Sequence, residues 1–119
     1  MKIIVAGGRN FDDYALLETA LNFYLARLQR NHIKIAILSG AARGADTLAE
    51  KYALANGHNL ERYPANWDRD GKSAGYKRNT LMSTKADALV AFWDSKSKGT
   101  KHMIDTAIQK GLLVKVVQY

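Results

Sequence analysis

The chain begins, after Met1, with the apolar run Lys2-Ile3-Ile4-Val5-Ala6, which is closed by Gly7-Gly8. Comparable short runs, each followed by small or turn-forming residues, occur at residues 33–38, 60–63, 88–93 and 113–117. Because the runs do not alternate between apolar and polar residues, they are typical of strands in a parallel sheet that is covered on both faces. The sequence therefore predicts five parallel strands.

Longer stretches with helical spacing separate the strand runs. They cover about residues 13–29, 47–55, 74–84 and 100–110, and Asp12 or Asp13 can cap the first of them. This alternation predicts an α/β fold with helices on both faces of the sheet, that is, a three-layer, doubly wound architecture. Since the sequence has no linker and no repeat, residues 1–119 are predicted to form a single domain.

The composition excludes several classes of protein. Hydrophobic residues make up 47% of the 119 residues and charged residues 24%, which is a globular balance and not that of a disordered chain. The absence of cysteine excludes disulfides and thiolate zinc sites, no spacing of histidines and carboxylates indicates a metal site, and no separate cofactor is expected. No apolar run is long enough for a membrane span or a signal sequence, so we expect a cytoplasmic protein that does not bind membranes.

The net charge of +7 favours anionic partners, which are nucleic acids, nucleotides or acidic proteins, although it can also serve solubility alone. In a doubly wound sheet, ligands bind beyond the carboxyl ends of the strands, at the point where the strand order reverses. That rule directs attention to four connections, at residues 7–13, 39–47, 64–75 and 94–100.

Two of these connections combine glycine, small residues and one arginine. The first contains Gly7, Gly8 and Arg9; the glycines let a ligand approach the backbone, and the arginine can bind a phosphate. The second leads into a helix N-terminus, which favours anions, and it reads Ser39-Gly40-Ala41-Ala42-Arg43-Gly44-Ala45-Asp46. Each of these residues also has a purely structural interpretation: Asp46 can cap the helix, Arg43 can pair with Asp46, and Ser39 can stabilise the turn.

The other two connections add lysines and an aromatic ring. Residues 94–101 contain Asp94, Lys98, Gly99 and Thr100 at the start of the last helix, which resembles a phosphate-binding turn, or is simply a solvated loop. In the long connection before residue 79, Trp67 can stack on a nucleobase or pack on the core. Arg78 and Asn79 can contact a phosphate or ribose, or fix the loop.

Several of these motifs resemble the YspA-like branch of the SLOG superfamily, which also includes the DprA/Smf and Lonely Guy proteins. The resemblance implies a Rossmann-like sheet of order 3-2-1-4-5, in which the glycine loops share one crevice. It also implies binding of nucleotides or their derivatives, and SLOG relatives are often homodimers. The matching stretches are Gly7-Gly8-Arg9, Gly40 to Asp46, Pro64 to Trp67, Ala74-Gly75, Arg78-Asn79, Ala91-Phe92 and Lys98-Gly99-Thr100.

One departure from the pattern concerns catalysis. Lonely Guy members hydrolyse nucleoside monophosphates through a motif whose glutamate lies three positions after its threonine. Here Gly99-Thr100 is followed at that position by Met103, which cannot transfer a proton. Asp94 and Arg78 are the only candidates for a catalytic role, so enzymatic activity is left open.

The leading prediction is a protein that binds a nucleotide or nucleotide-derived ligand. Phosphate is expected near the amides of Gly7, Gly8, Gly99 and Thr100. Its charge is expected to be neutralised by Arg9, Arg43, Arg78 and Lys98. Asp94 or Asp46 is expected to hold the ribose, and Trp67 to cover the base. The alternatives are a nucleotide N-glycosidase or phosphoribohydrolase-like enzyme and a protein that binds single-stranded nucleic acid. The predicted ligand-binding residues are Gly7, Gly8, Arg9, Ser39, Gly40, Arg43, Gly44, Asp46, Trp67, Arg78, Asn79, Asp94, Lys98, Gly99 and Thr100.

Overall fold

The five apolar runs form the five strands of one sheet in the computed structural model, which describes residues 1–119. The strands are β1 (Lys2–Gly7), β2 (Ala36–Ser39), β3 (Asn59–Arg62), β4 (Ala88–Trp93) and β5 (Leu113–Gln118). The helices are α1 (Tyr14–Arg30), α2 (Ala45–Ala55), α3 (Trp67–Asp70), α4 (Ala74–Lys85) and α5 (Lys98–Gln109).

The strands lie in the order β3-β2-β1-β4-β5, and every neighbouring pair is parallel. Ile3 is aligned with Ile37 of β2 on one side and with Ala88 of β4 on the other. The chain thus proceeds from β1 outward in one direction through β2 and β3, and then crosses back to β4 and β5. The predicted fold class and strand order are confirmed, and the reversal lies between β1 and β4.

Successive side chains of the central strands β1, β2 and β4 enter two separate cores, which is the reason that these strands are apolar on both faces. The edge strands β3 and β5 are more exposed and contain charged residues. Ile3 and Val5 of β1 pack in the core beneath α1 and α2, where Tyr52 is the largest fully buried side chain. Ile4 packs in the opposite core with Met103 of α5 and residues of α4. The predicted three-layer arrangement follows directly, and none of the helices has the length and apolar character needed to cross a membrane.

The helix boundaries agree with the pattern in some places and not in others. Asp13 caps α1 by accepting a hydrogen bond from the Leu16 amide, as predicted. Helix α2 begins at Ala45 and not at Thr47, because Gly44 takes the N-cap position with a φ of +81° and Asp46 falls inside the first turn. Strand β2 begins three residues later than the run that starts at Ile33.

The connection at residues 64–75, for which the sequence predicts no regular element, contains a short helix and a 3₁₀ turn. Asn66 accepts a hydrogen bond from the Arg69 amide at 3.0 Å and caps the short helix α3. A single 3₁₀ turn, Gly71–Ser73, then leads into α4. A helix of four residues has no apolar periodicity, so the pattern that reveals longer helices cannot reveal this one.

Candidate functional site

A cavity of about 720 Å³ lies at the carboxyl edge of the sheet, beyond the ends of β1 and β4. Its position is the one that the reversal of strand order predicts, and its volume is within the range of small-molecule sites. Ten of the predicted ligand-binding residues line it. They are Gly7, Gly8, Arg9, Asp46, Trp67, Arg78, Asn79, Asp94, Gly99 and Thr100.

The other five predicted ligand-binding residues do not line the cavity. Arg43 and Lys98 are exposed outside it, so neither provides charge to its wall. Ser39 is fully buried, and Gly40 and Gly44 serve the packing of neighbouring segments. Of the loops expected to share one crevice, the first and the last thus contribute Arg9 and Thr100 to the cavity wall, whereas Arg43 of the second lies outside it.

The first glycine loop leaves part of its backbone without protein partners. The carbonyl of Gly8 accepts hydrogen bonds from the amides of Phe11 and Ala45, both at 3.2 Å. The amides of Arg9 and Asn10 have no acceptor within the protein, and both residues line the cavity. Unpaired amides at the wall of a cavity are suited to bind an anion.

Three amides of the second glycine loop, those of Ala41, Ala42 and Ala45, have acceptors within the protein. Ser39 Oγ accepts a hydrogen bond from the Ala41 amide at 3.1 Å and donates one to Glu50 Oε2 at 2.7 Å. The Ala42 amide donates to Asp46 Oδ2 at 3.2 Å. A carboxylate of the protein itself thus accepts an amide of the loop that precedes α2, and its negative charge lies in the first turn of that helix.

Gly44 allows the two glycine loops to approach each other closely. Its φ of +81° is strained for any other residue, and a Cβ at this position would lie only 2.6 Å from the Arg9 carbonyl oxygen. The glycine is required by this contact between loops. Its role is therefore structural, although it lies in a motif that resembles a phosphate-binding turn.

The beginning of α5 presents a further unpaired amide to the cavity. Asp94 Oδ1 accepts hydrogen bonds from the amides of Lys96 and Ser97, both at 2.8 Å, which lowers the pKa of this carboxyl below its usual value. Ser97 caps the helix by accepting a hydrogen bond from the Thr100 amide. The amide of Gly99, in the first turn, has no acceptor in the protein.

Two arginines border the same cavity. The guanidinium of Arg9 lies over the ring of Trp67, 5.7 Å from its centroid. Arg78 donates from Nη1 to the Gly40 carbonyl at 2.5 Å and from Nε to Asn79 Oδ1 at 2.9 Å. Burial lowers the pKa of Arg78, and nearby Asp46 opposes that shift. One guanidinium is therefore rigidly held in the wall, whereas the other lies at an exposed rim.

Asp46 is the buried carboxylate of the site, with 7% of its surface exposed. Burial raises its pKa to about 6, and the hydrogen bond from Ala42 and the charges of Arg78 and Arg9 only partly offset this effect. Neither arginine comes within the 4.0 Å of an ion pair with Asp46. The carboxylate is thus close to positive charge without being neutralised by direct contact.

Aromatic rings complete the cavity. Trp67 is half exposed at the rim. Tyr76 stacks on His102 with 4.2 Å between ring centroids. The side-chain amide nitrogen of Asn79 lies within hydrogen-bonding distance of His102 Nδ1, at 3.2 Å. Tyr119, the last residue, packs edge-on against Phe11 and lines the cavity.

Sequence reasoning missed several residues of the wall. Lys72 and Lys96 line the cavity in place of the predicted Lys98, and no pattern in the sequence distinguishes which lysine of the loop turns inward. Asn10 and Tyr76 are next to predicted residues. Tyr119 follows a strand whose carboxyl end lies at the ligand edge, so the rule that identified the other loops also identifies it.

The site has neither a cluster for a metal nor the acid of the related hydrolases. No group of three or more His, Asp or Glu side chains is arranged to hold a metal ion. Met103, at the position of the hydrolase glutamate, is buried and lines the cavity. The two candidates for catalysis, Asp94 and Arg78, both border the cavity.

Comparisons with known proteins agree with this architecture. The fold is similar to that of DNA processing protein A (DprA) from Streptococcus pneumoniae, with a TM-score of 0.74 at 18% identity over 97% of this chain and 49% of that chain. It is also similar to DprA from Helicobacter pylori, whose structure is described as revealing a single-stranded DNA binding mode, with a TM-score of 0.66 at 19% identity over 98% of this chain. The chain spans about half of the first protein and 64% of the second.

Two comparisons of sequence identify the family. The Gene 61 protein of Mycobacterium phage D29 is 31% identical over 119 residues, which cover 95% of this chain and 93% of the relative. The family described as "YspA, cpYpsA-related SLOG family" matches residues 1–69, which include both glycine loops. The chain belongs to this SLOG family.

Proposed function

We propose that the cavity binds a nucleotide or a nucleotide-derived ligand. The observation that carries this proposal is a combination of groups around one space of about 720 Å³. Unpaired backbone amides and two arginines provide for an anion, and aromatic rings provide for a flat apolar group. A nucleotide contains both groups.

The phosphate is assigned to the side of the cavity where the first glycine loop faces the start of α5. The amides of Arg9, Asn10 and Gly99 are available there, and α5 adds the positive end of its dipole. Lys96 supplements the charge of Arg9. Hydrogen bonds of this kind, between charged partners, contribute about 1.5–3 kcal/mol each.

The base is assigned to the aromatic rim. Trp67 and Tyr76 both line the cavity and are both exposed, so either ring can stack on a base. Arg9 already lies over Trp67, and this contact keeps the ring near the anion site. Stacking of a base on an aromatic side chain contributes about 1–3 kcal/mol.

Hydrolysis of the ligand has less support than binding. A general base works best when its pKa lies near the operating pH, but the amide hydrogen bonds to Asp94 Oδ1 lower the pKa of this carboxyl below its usual value. Met103 supplies no substitute. We therefore rank an N-glycosidase below a binding protein, and turnover of nucleoside monophosphates in the presence of the native protein would reverse that order.

Single-stranded nucleic acid is the second candidate ligand. The net charge of +7 and the similarity in fold to DprA, one structure of which is described as showing a single-stranded DNA binding mode, favour it. The affinity for a nucleic-acid strand should fall more steeply with salt than the affinity for a nucleotide, because a strand with several phosphates releases several counterions on binding. A homodimer remains a prediction that the same samples can test by their mass in solution.

Isothermal titration against the common nucleoside mono-, di- and triphosphates, cyclic nucleotides and a short oligonucleotide tests the proposal. Two glycine-loop arginines provide a matched pair, since Arg9 lines the cavity and Arg43 does not. We expect Arg9→Gln to weaken nucleotide binding about 10- to 100-fold, from the worth of a charged hydrogen bond, and Arg43→Gln to leave it unchanged. No binding of any nucleotide at millimolar concentration, or equal effects of the two substitutions, contradicts the proposal.

A further inference from the structure

Asp46 differs from the other carboxylate of the cavity because its residue is buried, although the protein provides its carboxylate with only one hydrogen-bond donor. Its recorded partner is the Ala42 amide, which contacts Oδ2. No ion pair within 4.0 Å and no hydrogen bond to a protein donor accounts for Oδ1. Since no buried side-chain oxygen lacks a partner, this oxygen has access to the cavity that Asp46 lines.

The wall around Asp46 leaves space for its carboxylate beside the guanidinium of Arg78. A Cβ at position 40 would lie 2.9 Å from Asp46 Oδ2 and 2.8 Å from Arg78 Cζ, so Gly40 provides the space in which both side chains meet. Arg78 is fixed by the Gly40 carbonyl and Asn79 and is not turned toward the carboxylate in an ion pair. The charge of Arg78 is therefore near Asp46, while the acceptor positions of Asp46 remain available.

An acceptor oxygen that opens onto the cavity without a protein donor can accept a hydrogen bond from a ligand. The pKa of Asp46 is raised to about 6, mainly by burial, and the charged groups that act on it are Arg78, Glu50 and Arg9. The carboxyl is still mostly ionised at neutral pH. An ionised carboxylate accepts hydrogen bonds and repels phosphate, so it calls for a neutral donor, such as a hydroxyl or an amine.

Asp94, the other carboxylate of the cavity, also has one oxygen without a protein donor, Oδ2, but it differs from Asp46 in its position and exposure. Its Oδ1 holds the amides of Lys96 and Ser97, and its position is on the exposed loop that precedes α5. That loop lies on the side of the cavity assigned to the phosphate, so a ribose bound to Asp94 would compete with the phosphate for the same space. Of the two residues that the sequence suggests for ribose, the structure thus favours Asp46.

We infer that Asp46 accepts hydrogen bonds from the vicinal hydroxyls of a ribose, so that the cavity selects ribonucleotides over 2′-deoxyribonucleotides. This inference rests on the proposed function. A hydroxyl is favoured over an amine of the base because the rings that can stack a base, Trp67 and Tyr76, are exposed at the rim whereas Asp46 is buried. The ligand then has its base at the rim, its phosphate at α5 and its ribose against Asp46.

Titration of the four ribonucleoside monophosphates, each beside its 2′-deoxy counterpart, tests the inference on the native protein. We expect the ribose form to bind about 10- to 100-fold more tightly, which is the worth of one hydrogen bond to a charged acceptor. In Asp46→Asn the difference between ribose and deoxyribose forms should shrink to less than about threefold, since a neutral amide oxygen is a weaker acceptor. Asp12→Asn, the same change at an exposed residue outside the cavity, should preserve the full difference.

Each other result has a distinct meaning. Equal binding of the ribose and deoxyribose forms overturns this inference and leaves the proposed function standing. A preference that excludes only the uracil and thymine nucleotides, which lack an exocyclic amine, assigns Asp46 to the base and also overturns it. Failure of all the nucleotides to bind overturns both proposals. The comparison on the native protein decides the matter even if Asp46→Asn does not fold.

Discussion

The first and second glycine loops look alike in sequence, but they differ in the fate of their backbone amides. Gly7-Gly8-Arg9-Asn10 leaves two amides unpaired at the cavity wall. In the loop at residues 40–46, the amides of Ala41, Ala42 and Ala45 donate to Ser39 Oγ, to Asp46 Oδ2 and to the Gly8 carbonyl. The comparison teaches that small residues and an arginine before a helix define a shape, whereas the available acceptors determine whether that shape binds a ligand.

The difference also separates two kinds of arginine. Arg9 belongs to the loop that is open to the cavity, and its side chain lies at the rim of the cavity. Arg43 belongs to the loop whose acceptors are internal, and it is exposed outside the cavity. The second loop thus supports the first: the amide of Ala45 holds the Gly8 carbonyl, and Gly44 permits the contact.

The largest expected effect is the loss of this contact between loops. Gly44 and Gly111 have similar φ angles, +81° and +79°, but a Cβ at position 44 would collide with the first loop, whereas position 111 faces open space. We expect Gly44→Ala to lower the free energy of unfolding by about 2–5 kcal/mol, from strain and overpacking. Gly111→Ala should cost only the strain of about 1–2 kcal/mol. Urea denaturation measures both, and equal losses would show that the close approach contributes nothing.

The second effect concerns the carboxylate that closes the second loop. Because the pKa of Asp46 is raised from 3.8 to about 6, the folded state holds this proton more tightly than the unfolded state does. The free energy of unfolding of the native protein should therefore fall, relative to Asp46→Asn, as pH rises from about 4 to about 6. Over that window the difference should amount to on the order of 3 kcal/mol. Denaturation at several pH values measures it, and a difference independent of pH would contradict the assignment.

The smallest effect distinguishes two neighbouring lysines. Lys96 lines the cavity and Lys98 does not, although both are exposed. We expect Lys96→Gln to weaken nucleotide binding by up to about fivefold in low salt, which is the range of an exposed charge pair, and Lys98→Gln to have no effect. High salt should remove the difference. Titrations at two salt concentrations measure it, and a larger loss in Lys98→Gln would place the phosphate elsewhere.

Much of the fold can be predicted because its signals are local and repeated. Each of the five runs overlaps a strand to within a few residues, and Gly8, which follows β1, marks the end of that strand. The parallel arrangement follows from their uninterrupted apolar character. The start of β2 was misplaced because Ile33 continues the apolar run, whereas the chain is still turning after His32, whose φ is +54°.

The site is less predictable than the fold because it depends on where individual side chains point, which the composition of a loop does not determine. Ten predicted residues line one cavity because their loops share an edge of the sheet. The inward turn of Lys96 and the outward turn of Lys98 depend on the capped turn at Asp94 and Ser97, which no local periodicity reveals. Gly44 resembled a ligand-binding glycine for the same reason, since its close contact lies with a loop more than thirty residues away.

The most direct test of the account follows the backbone amides of the ¹⁵N-labelled protein by NMR as each ribonucleoside monophosphate is added. The account predicts the largest shifts at the unpaired amides of Arg9, Asn10 and Gly99 and small shifts at Ala41 and Ala42, which already have acceptors. Large shifts at Ala41 and Ala42 with little change at Arg9 and Gly99 would contradict it, because the second glycine loop would then be the one that binds the anion.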